Sequence, residues 1–131
     1  MPELLYLDSS ALVKLVHEEL ESRELHAVLD RWPVQTTSVV GDVEIRRVAL
    51  RSGIGGDADA VLAALSLIEL DEPVQRLARR VGSPALRSLD AIHLASALSL
   101  GDDLGAFCCY DSRLIADAEA AGLTVLSPGL H

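Results

Sequence analysis

Aromatic residues are scarce in this sequence, whose 131 residues include one Trp, one Phe and two Tyr. Because half of the residues are nevertheless hydrophobic, the chain can bury a sizeable core, which must be built from Leu, Val, Ile and Ala. The moderate charge and high apolar content exclude an intrinsically disordered chain. The length fits one compact domain, which we expect to span residues 1–131.

Cysteines and long apolar runs are also few. Cys108 and Cys109 are adjacent, so on a strand they would point to opposite faces, and we expect no disulfide between them. Without a histidine partner nearby they also make a poor zinc site. No run is apolar enough to cross a membrane, and the start Met1-Pro2-Glu3 is not that of a signal peptide. We therefore expect a cytoplasmic protein with no membrane partner.

Basic residues are fewer than acidic ones: the sequence has 11 Lys and Arg but 20 Asp and Glu, and its net charge is −9. This balance excludes general electrostatic attraction to nucleic acid, so a polyanionic substrate must be held by local arginines or by bound cations. An acidic surface could equally bind a basic partner segment. Composition alone leaves both interpretations open.

Short apolar runs alternate with helical stretches along the chain, which is typical of an α/β domain with a mostly parallel sheet. We predict strands at 3–7, 34–37, 67–70, 106–109 and 123–126. Helices are predicted at 9–19, 21–30, 39–52, 58–65, 72–81, 89–100 and 112–121. Ser38, Asp57 and Ser88 are the expected N-caps of the third, fourth and sixth helices. The sixth helix is apolar nearly all round, so we expect it to be buried.

Acidic residues stand at the ends of two predicted strands. Asp8 directly follows the first strand and Asp111 comes just after the fourth, and each precedes a helix. Ligands bind beyond the carboxyl ends of parallel strands, so the two acids would meet if these strands are neighbours. Asp90 lies in the first turn of the buried helix, and Glu44 lies among the valines of the third helix. Taken singly, Asp8 and Asp111 could simply be helix caps and Glu44 a solvated residue.

Several carboxylates in one place need a cation. Two unit charges about 4 Å apart repel by roughly 4 kcal/mol at an effective dielectric of 20. Oxygen ligands suit hard cations such as Mg²⁺ or Mn²⁺. A water on such a metal is a nucleophile toward phosphorus. Together the acids therefore favour metal-dependent hydrolysis of a phosphodiester.

Four stretches in order carry a family resemblance. They are LYLDSSALVKL at 5–15, Thr37-Ser38 with Glu44, LRSLDAIHLASA at 86–97, and YDSRL at 110–114 followed by Ala118 and Gly122. Together they resemble the motifs of the PIN-domain family, and more narrowly those of the VapC toxins of bacterial toxin–antitoxin pairs. One such motif would be weak, but four in order over nearly the whole chain are specific.

The resemblance implies a PIN-like three-layer α/β/α sandwich with a parallel sheet of order 3-2-1-4-5, which places strands one and four side by side. It also implies a Mg²⁺- or Mn²⁺-dependent endoribonuclease, the toxin of a VapBC-type pair, that uses metal-activated water. Four acids carry over as catalytic and metal-binding residues: Asp8, Glu44, Asp90 and Asp111.

Three further residues are secondary candidates for the site, and the resemblance also implies partners. Ser10 matches a small hydroxyl position near the first acid, and Arg87 and Arg113 flank acids and could contact RNA phosphates. Arg79 and Arg80 are interpreted as solvated surface. The resemblance implies an RNA substrate and a cognate VapB-like antitoxin, and a homodimer is common among such proteins.

Two site positions and two alternative functions stay open. The family usually has Thr or Ser where this chain has Cys109, a weaker hydrogen-bond partner. Asp42 competes with Glu44, and a helix turns about 200° between them, so both cannot face the site equally. One alternative is a non-catalytic PIN-like module that docks a basic partner segment. The other is a receiver-like phosphoacceptor, which needs a lysine near the late strands, whereas the only lysine is Lys14.

Overall fold

A single parallel sheet forms the centre of the computed structural model, which describes residues 2–130. Its strands are β1 (Leu4–Leu7), β2 (Val34–Ser38), β3 (Ser66–Ile68), β4 (Leu104–Cys108) and β5 (Val125–Leu126). The order is β3-β2-β1-β4-β5 and every neighbouring pair is parallel, which confirms the predicted order.

Helices connect the strands and cover both faces of the sheet. Their bounds are α1 (Ser9–Val16), α2 (Ser22–Leu29), α3 (Val39–Arg51), α4 (Gly55–Leu62), α5 (Glu72–Ala78), α6 (Ser88–Leu98) and α7 (Ser112–Ala120), and a 3₁₀ turn spans Gly101–Asp103. None of the helices within residues 2–130 is long and apolar enough to span a bilayer.

Two apolar cores lie on the two faces because side chains alternate along the strands. In β1, Leu5 and Leu7 join the core that packs against α1 to α4, whereas Tyr6 joins the core under α6 and α7. Most of α6 is buried, which confirms that prediction. Helices on both faces of a parallel sheet give the expected three-layer sandwich.

Some helix starts differ from the predictions. Helix α4 begins at Gly55, before the predicted cap Asp57, because the amide of Ile54 already bonds to the Ala49 carbonyl and turns the chain there. Ser88 is the first residue of α6 rather than its cap, and Arg87 takes the cap position without a side-chain bond.

Candidate active site

The pairing of β1 with β4 brings Asp8 and the segment before Asp111 to the same edge of the sheet. Leu7 is in register with Cys108, and the Asp8 amide donates to the Cys108 carbonyl at 3.2 Å. Asp8 Oδ1 accepts a bond from the Ala11 amide at 3.1 Å and caps α1. Asp111 caps α7 in the same way. Because each cap uses only Oδ1, capping and clustering are compatible.

Asp8 is held firmly in place. It is only 2% exposed, and Ser10 Oγ donates to its Oδ1 at 2.7 Å while Cys109 Sγ donates to its Oδ2 at 3.1 Å. Burial raises the pKa of Asp8 above its usual range, and the hydrogen bonds from Ser10 and Cys109 offset part of that rise. Ser10 Oγ also accepts from the Tyr110 amide at 2.8 Å, so it ties α1 to the end of β4.

Cys109 supplies a hydrogen-bond donor where the family usually has a hydroxyl. Burial and the nearby Asp8 charge raise the pKa of the Cys109 thiol well above its usual range, so the thiol keeps its proton. The sulfur therefore donates to the buried carboxylate as a hydroxyl would. Cys108 is likewise buried, and both cysteines are free thiols, as expected from their adjacency.

Asp90 experiences the repulsion of the other acids. Burial raises its pKa most, and the charges of Asp111, Asp8 and Glu44 raise it further, while His93 lowers it. None of the hydrogen bonds within residues 2–130 involves the Asp90 carboxylate. The charges of the other three predicted acids therefore all act on Asp90, and no hydrogen bond within residues 2–130 stabilises its carboxylate.

Glu44 and Asp42 point to different parts of the molecule. Glu44 Oε1 accepts from Ser9 Oγ at 2.8 Å and contacts His93 Nε2 at 2.9 Å. Burial, the largest influence, raises the pKa of Glu44, but the bonds from His93 and Ser9 bring it below its usual range. Asp42 instead pairs with Arg46 at 3.0 Å. Only Glu44 faces the other acids.

His93 links Glu44 to the core. The ring is fully buried, its Nδ1 shares a hydrogen bond with the Tyr6 hydroxyl at 2.7 Å, and its Nε2 contacts Ser9 and Glu44. Both ring nitrogens are therefore engaged. The sequence does not predict the contacts with Ser9 and Glu44, and its only signal for His93 is the position one turn after Asp90.

Removing the Tyr6 hydroxyl is expected to destabilise the protein. Tyr6→Phe leaves His93 Nδ1 buried without its partner, which costs about 1–3 kcal/mol in the free energy of unfolding. Tyr110→Phe is the control, since it removes a 2.7 Å bond to the Pro128 carbonyl at a partly exposed site that water can reach. Urea denaturation measures both variants, and an equal loss in the two would contradict the proposed importance of the buried pair.

Two arginines border the acids. Arg87 and Arg113, both exposed, line a cleft of about 580 Å³ together with Asp90 and Asp111. Guanidinium groups there can bind phosphate oxygens on either side of the carboxylates. The cleft can therefore receive a polyanion in spite of the acidic chain.

The donor set suits a hard divalent cation. The four side chains offer oxygen ligands only, and a cation would relieve the repulsion that raises the pKa of Asp90. Among residues 2–130, no three His, Cys, Asp or Glu side chains lie close enough to form a ready-made ligand group. Asp90 and Asp111 lie at the cleft and can turn toward an ion, whereas Asp8 is fixed.

Comparisons with known proteins identify the family of this chain and agree with its fold. The sequence profile of the PIN domain matches residues 5–125, so the chain belongs to the PIN-domain family. Within that family it groups with the VapC proteins. Ribonuclease VapC47 of Mycobacterium tuberculosis is 41% identical over 133 residues, which cover 96% of this chain and 98% of the relative. Ribonuclease VapC35 of the same organism is 42% identical over 135 residues, with the same two coverages.

The solved structures give the same fold. A toxin–antitoxin complex from Klebsiella pneumoniae contains a chain that aligns with a TM-score of 0.73 at 19% identity, over 95% of this chain and 97% of the other. At that identity the likeness shows the fold alone. The resemblance inferred from the four motifs is confirmed.

Proposed function

We propose that this chain is a Mg²⁺- or Mn²⁺-dependent endoribonuclease and the toxin of a VapBC-type toxin–antitoxin pair, built as one domain over residues 1–131. The observation that carries the proposal is the cleft that brings Asp90 and Asp111 together with two arginines, Arg87 and Arg113. The charges of Asp111, Asp8 and Glu44 help to raise the pKa of Asp90 there. The two mycobacterial relatives, which are named ribonucleases, support the reaction class.

Each acid would have its own role in holding the cation. Asp8 is preorganised by Ser10, Cys109 and the Ala11 amide, so its carboxylate would fix the position of the ion. Asp90 accepts no hydrogen bond within the described residues, so its oxygens are available. When bound, Mg²⁺ or Mn²⁺ would supply an activated water and neutralise charge on the phosphate.

The remaining residues would position the reacting groups. Ser9 and His93 hold Glu44 toward the other acids, and their bonds keep it ionised. Arg87 and Arg113 would bind phosphates of the RNA backbone, which the net charge of −9 would otherwise repel. Substrate attraction is therefore local, at the cleft, rather than a property of the whole surface.

Cleavage of RNA by the purified chain tests the proposal. A labelled single-stranded RNA is incubated with Mg²⁺, with Mn²⁺ or with EDTA. We expect cleavage with either metal and none with EDTA, and no cleavage by Asp8→Asn with any addition. Cleavage that persists in EDTA, or that Asp8→Asn retains, would overturn the assignment.

Glu44→Gln and Asp42→Asn are expected to separate the two rival acids. Because Glu44 faces the other acids, Glu44→Gln should lower kcat/KM for RNA at least about 100-fold. Asp42 is paired with Arg46 on the other side of α3, so Asp42→Asn should change kcat/KM by less than about threefold and cost roughly 0.5 kcal/mol of stability. Steady-state cleavage assays decide between them, and the reverse order of effects would assign the role to Asp42.

The partner would be a cognate antitoxin, and the proposed setting is the cytoplasm. With 20 acidic residues in the chain, a blocking segment of the antitoxin should be basic. A homodimer would be compatible with this arrangement. Co-expression with each small gene that is found to adjoin the gene for this chain, followed by purification of one protein, tests whether the other is retained and whether cleavage is blocked.

A non-catalytic docking module is the second candidate. It is favoured by the fact that no three possible ligands converge within residues 2–130. Calorimetry with Mn²⁺ distinguishes the two candidates. The nuclease should bind Mn²⁺ and lose that binding in Asp90→Asn, whereas the docking module should show no carboxylate-dependent heat.

A further inference from the structure

A second cavity lies next to the acidic cleft. Its volume is about 630 Å³, and it is bounded by the end of α5, the 79–87 connection and α6. Its lining combines apolar side chains at Leu70, Val81, Leu86 and Ile92 with polar and charged ones. A cavity of this size that offers both apolar and polar groups can serve as a small-ligand or nucleotide subsite.

Two exposed arginines stand at this cavity. Arg79 and Arg80 line it, and neither forms an ion pair with any residue of the described range 2–130. In contrast, Arg76 in α5, three residues before Arg79, pairs with Glu72 at 3.8 Å. In a chain with a net charge of −9, two adjacent arginines without acidic partners form a local site for an anion.

The cavity and the acidic cleft lie side by side. Ser83 and Leu86 line both of them, so Arg79 and Arg80 lie along the same surface as Asp90 and Asp111. The shared wall is anchored, because the Ser83 amide and hydroxyl donate to the Asp117 carboxylate at 3.0 and 3.1 Å. The cavity with Arg79 and Arg80 therefore borders the cleft that holds Asp90 and Asp111.

We propose that the arginine cavity is a subsite for a nucleotide that flanks the scissile bond of the RNA. The apolar lining would take a base, and Arg79 and Arg80 would take a backbone phosphate. The charges favour this ligand over a protein partner, since a basic antitoxin segment would be repelled by the same arginines. The inference rests on the proposed ribonuclease function and adds the position of a substrate residue away from the acids.

The double variant Arg79→Gln/Arg80→Gln tests the subsite. Arg76→Gln is the matched control because it removes a nearby arginine of α5 that does not line the cavity. Binding is measured with single-stranded RNA oligonucleotides of two to twelve residues on the Asp8→Asn background, and cleavage is measured on the active background. We expect the double variant to bind the longer RNAs about tenfold more weakly, and its slope of log K against log salt to be shallower by about 0.7, the value for one phosphate contact on a single strand. KM should rise about tenfold while kcat changes less than twofold.

The outcomes of this test separate the two proposals. Arg76→Gln should bind and cleave within twofold of the parent. If the parent cleaves RNA and the double variant matches Arg76→Gln in affinity, KM and salt slope, the subsite is wrong and the ribonuclease proposal stands. If the double variant loses affinity for the antitoxin but not for RNA, the cavity is a protein-docking site and the inference is overturned. If the parent neither binds nor cleaves RNA, both proposals fail.

Discussion

Replacement of Asp90 by Asn should abolish RNA cleavage and at the same time raise the melting temperature of the metal-free protein. The charge of Asp90 is partly buried, it is repelled by Asp111, Asp8 and Glu44, and no hydrogen bond from the described residues stabilises it. Asn removes the charge and keeps the shape. We expect cleavage to fall at least about 1000-fold. Stability should rise by roughly 0.5–1 kcal/mol, which is a few degrees in Tm.

The stability gain should depend on pH in a defined direction. The folded-state pKa of Asp90 is raised above its unfolded value, so the ionised group destabilises the folded protein at neutral pH. That penalty is fully present above the folded pKa, and it disappears as the pH falls from the folded toward the unfolded pKa. The difference in Tm between Asp90→Asn and the parent should therefore be largest near neutrality and should vanish in acid.

Calorimetric melting in the presence of EDTA measures this difference, and cleavage assays are run on the same preparations. Asp71→Asn is the control, since Asp71 also lies at the start of a helix but caps it with a 3.0 Å bond to the Val74 amide. Asn caps almost as well, so this variant should keep both Tm and cleavage. If Asp90→Asn lowers Tm instead, its loss of activity would be structural, and the account of a repelled carboxylate would be wrong.

Gly41→Ala is expected to be the most destabilising small substitution near the site. A Cβ at Gly41 would lie 2.7 Å from Thr37 Oγ1 and 2.9 Å from His93 Cε1. Thr37 Oγ1 donates to the Leu7 carbonyl at 2.7 Å, and both His93 nitrogens are hydrogen-bonded. Neither side chain can therefore move away from the new Cβ without losing a buried hydrogen bond. Overpacking of this kind costs about 2–3 kcal/mol, or roughly 10 °C in Tm.

The control for Gly41→Ala is Gly56→Ala in α4, where an added Cβ meets nothing within 4 Å. Ala is the better helix former, so Gly56→Ala should raise the free energy of unfolding by about 0.5–1 kcal/mol. Thermal melts compare the two variants. Because the His93 ring would be displaced, Gly41→Ala should also reduce RNA cleavage below the melting transition. Equal stability of the two variants would show that α3 and α6 are not tightly packed at this crossing.

The position of Asp8 and of Asp111 at one edge of the sheet could be predicted because the family resemblance implied a strand order in which strands one and four are neighbours. Parallel strands end at the same edge of the sheet, so acids that follow neighbouring strands must approach each other. The apolar character of α6 likewise predicted its burial. The structure also shows that the simpler capping interpretation of Asp8 and Asp111 is correct, and it does not exclude their place in the cluster.

Details that depend on long-range side-chain contacts could not be predicted. The choice between Asp42 and Glu44 depends on the contacts of Glu44 with Ser9 and His93. These residues lie 35 and 49 positions from Glu44 in the chain. No periodicity or motif fixes such contacts. Arg79 and Arg80 were interpreted as solvated surface, because nothing local in the sequence shows that the chain folds a cavity beside them.

The central claim is that the carboxylate cluster cleaves RNA, and mapping of RNA ends in cells that express the chain from an inducible promoter tests it most directly. Parallel cultures express the parent and Asp8→Asn at matched protein levels. The account predicts new RNA ends at discrete positions within minutes of induction in the parent culture and none in the Asp8→Asn culture. The same set of new ends in both cultures, or no new ends in either although the protein accumulates, would contradict it.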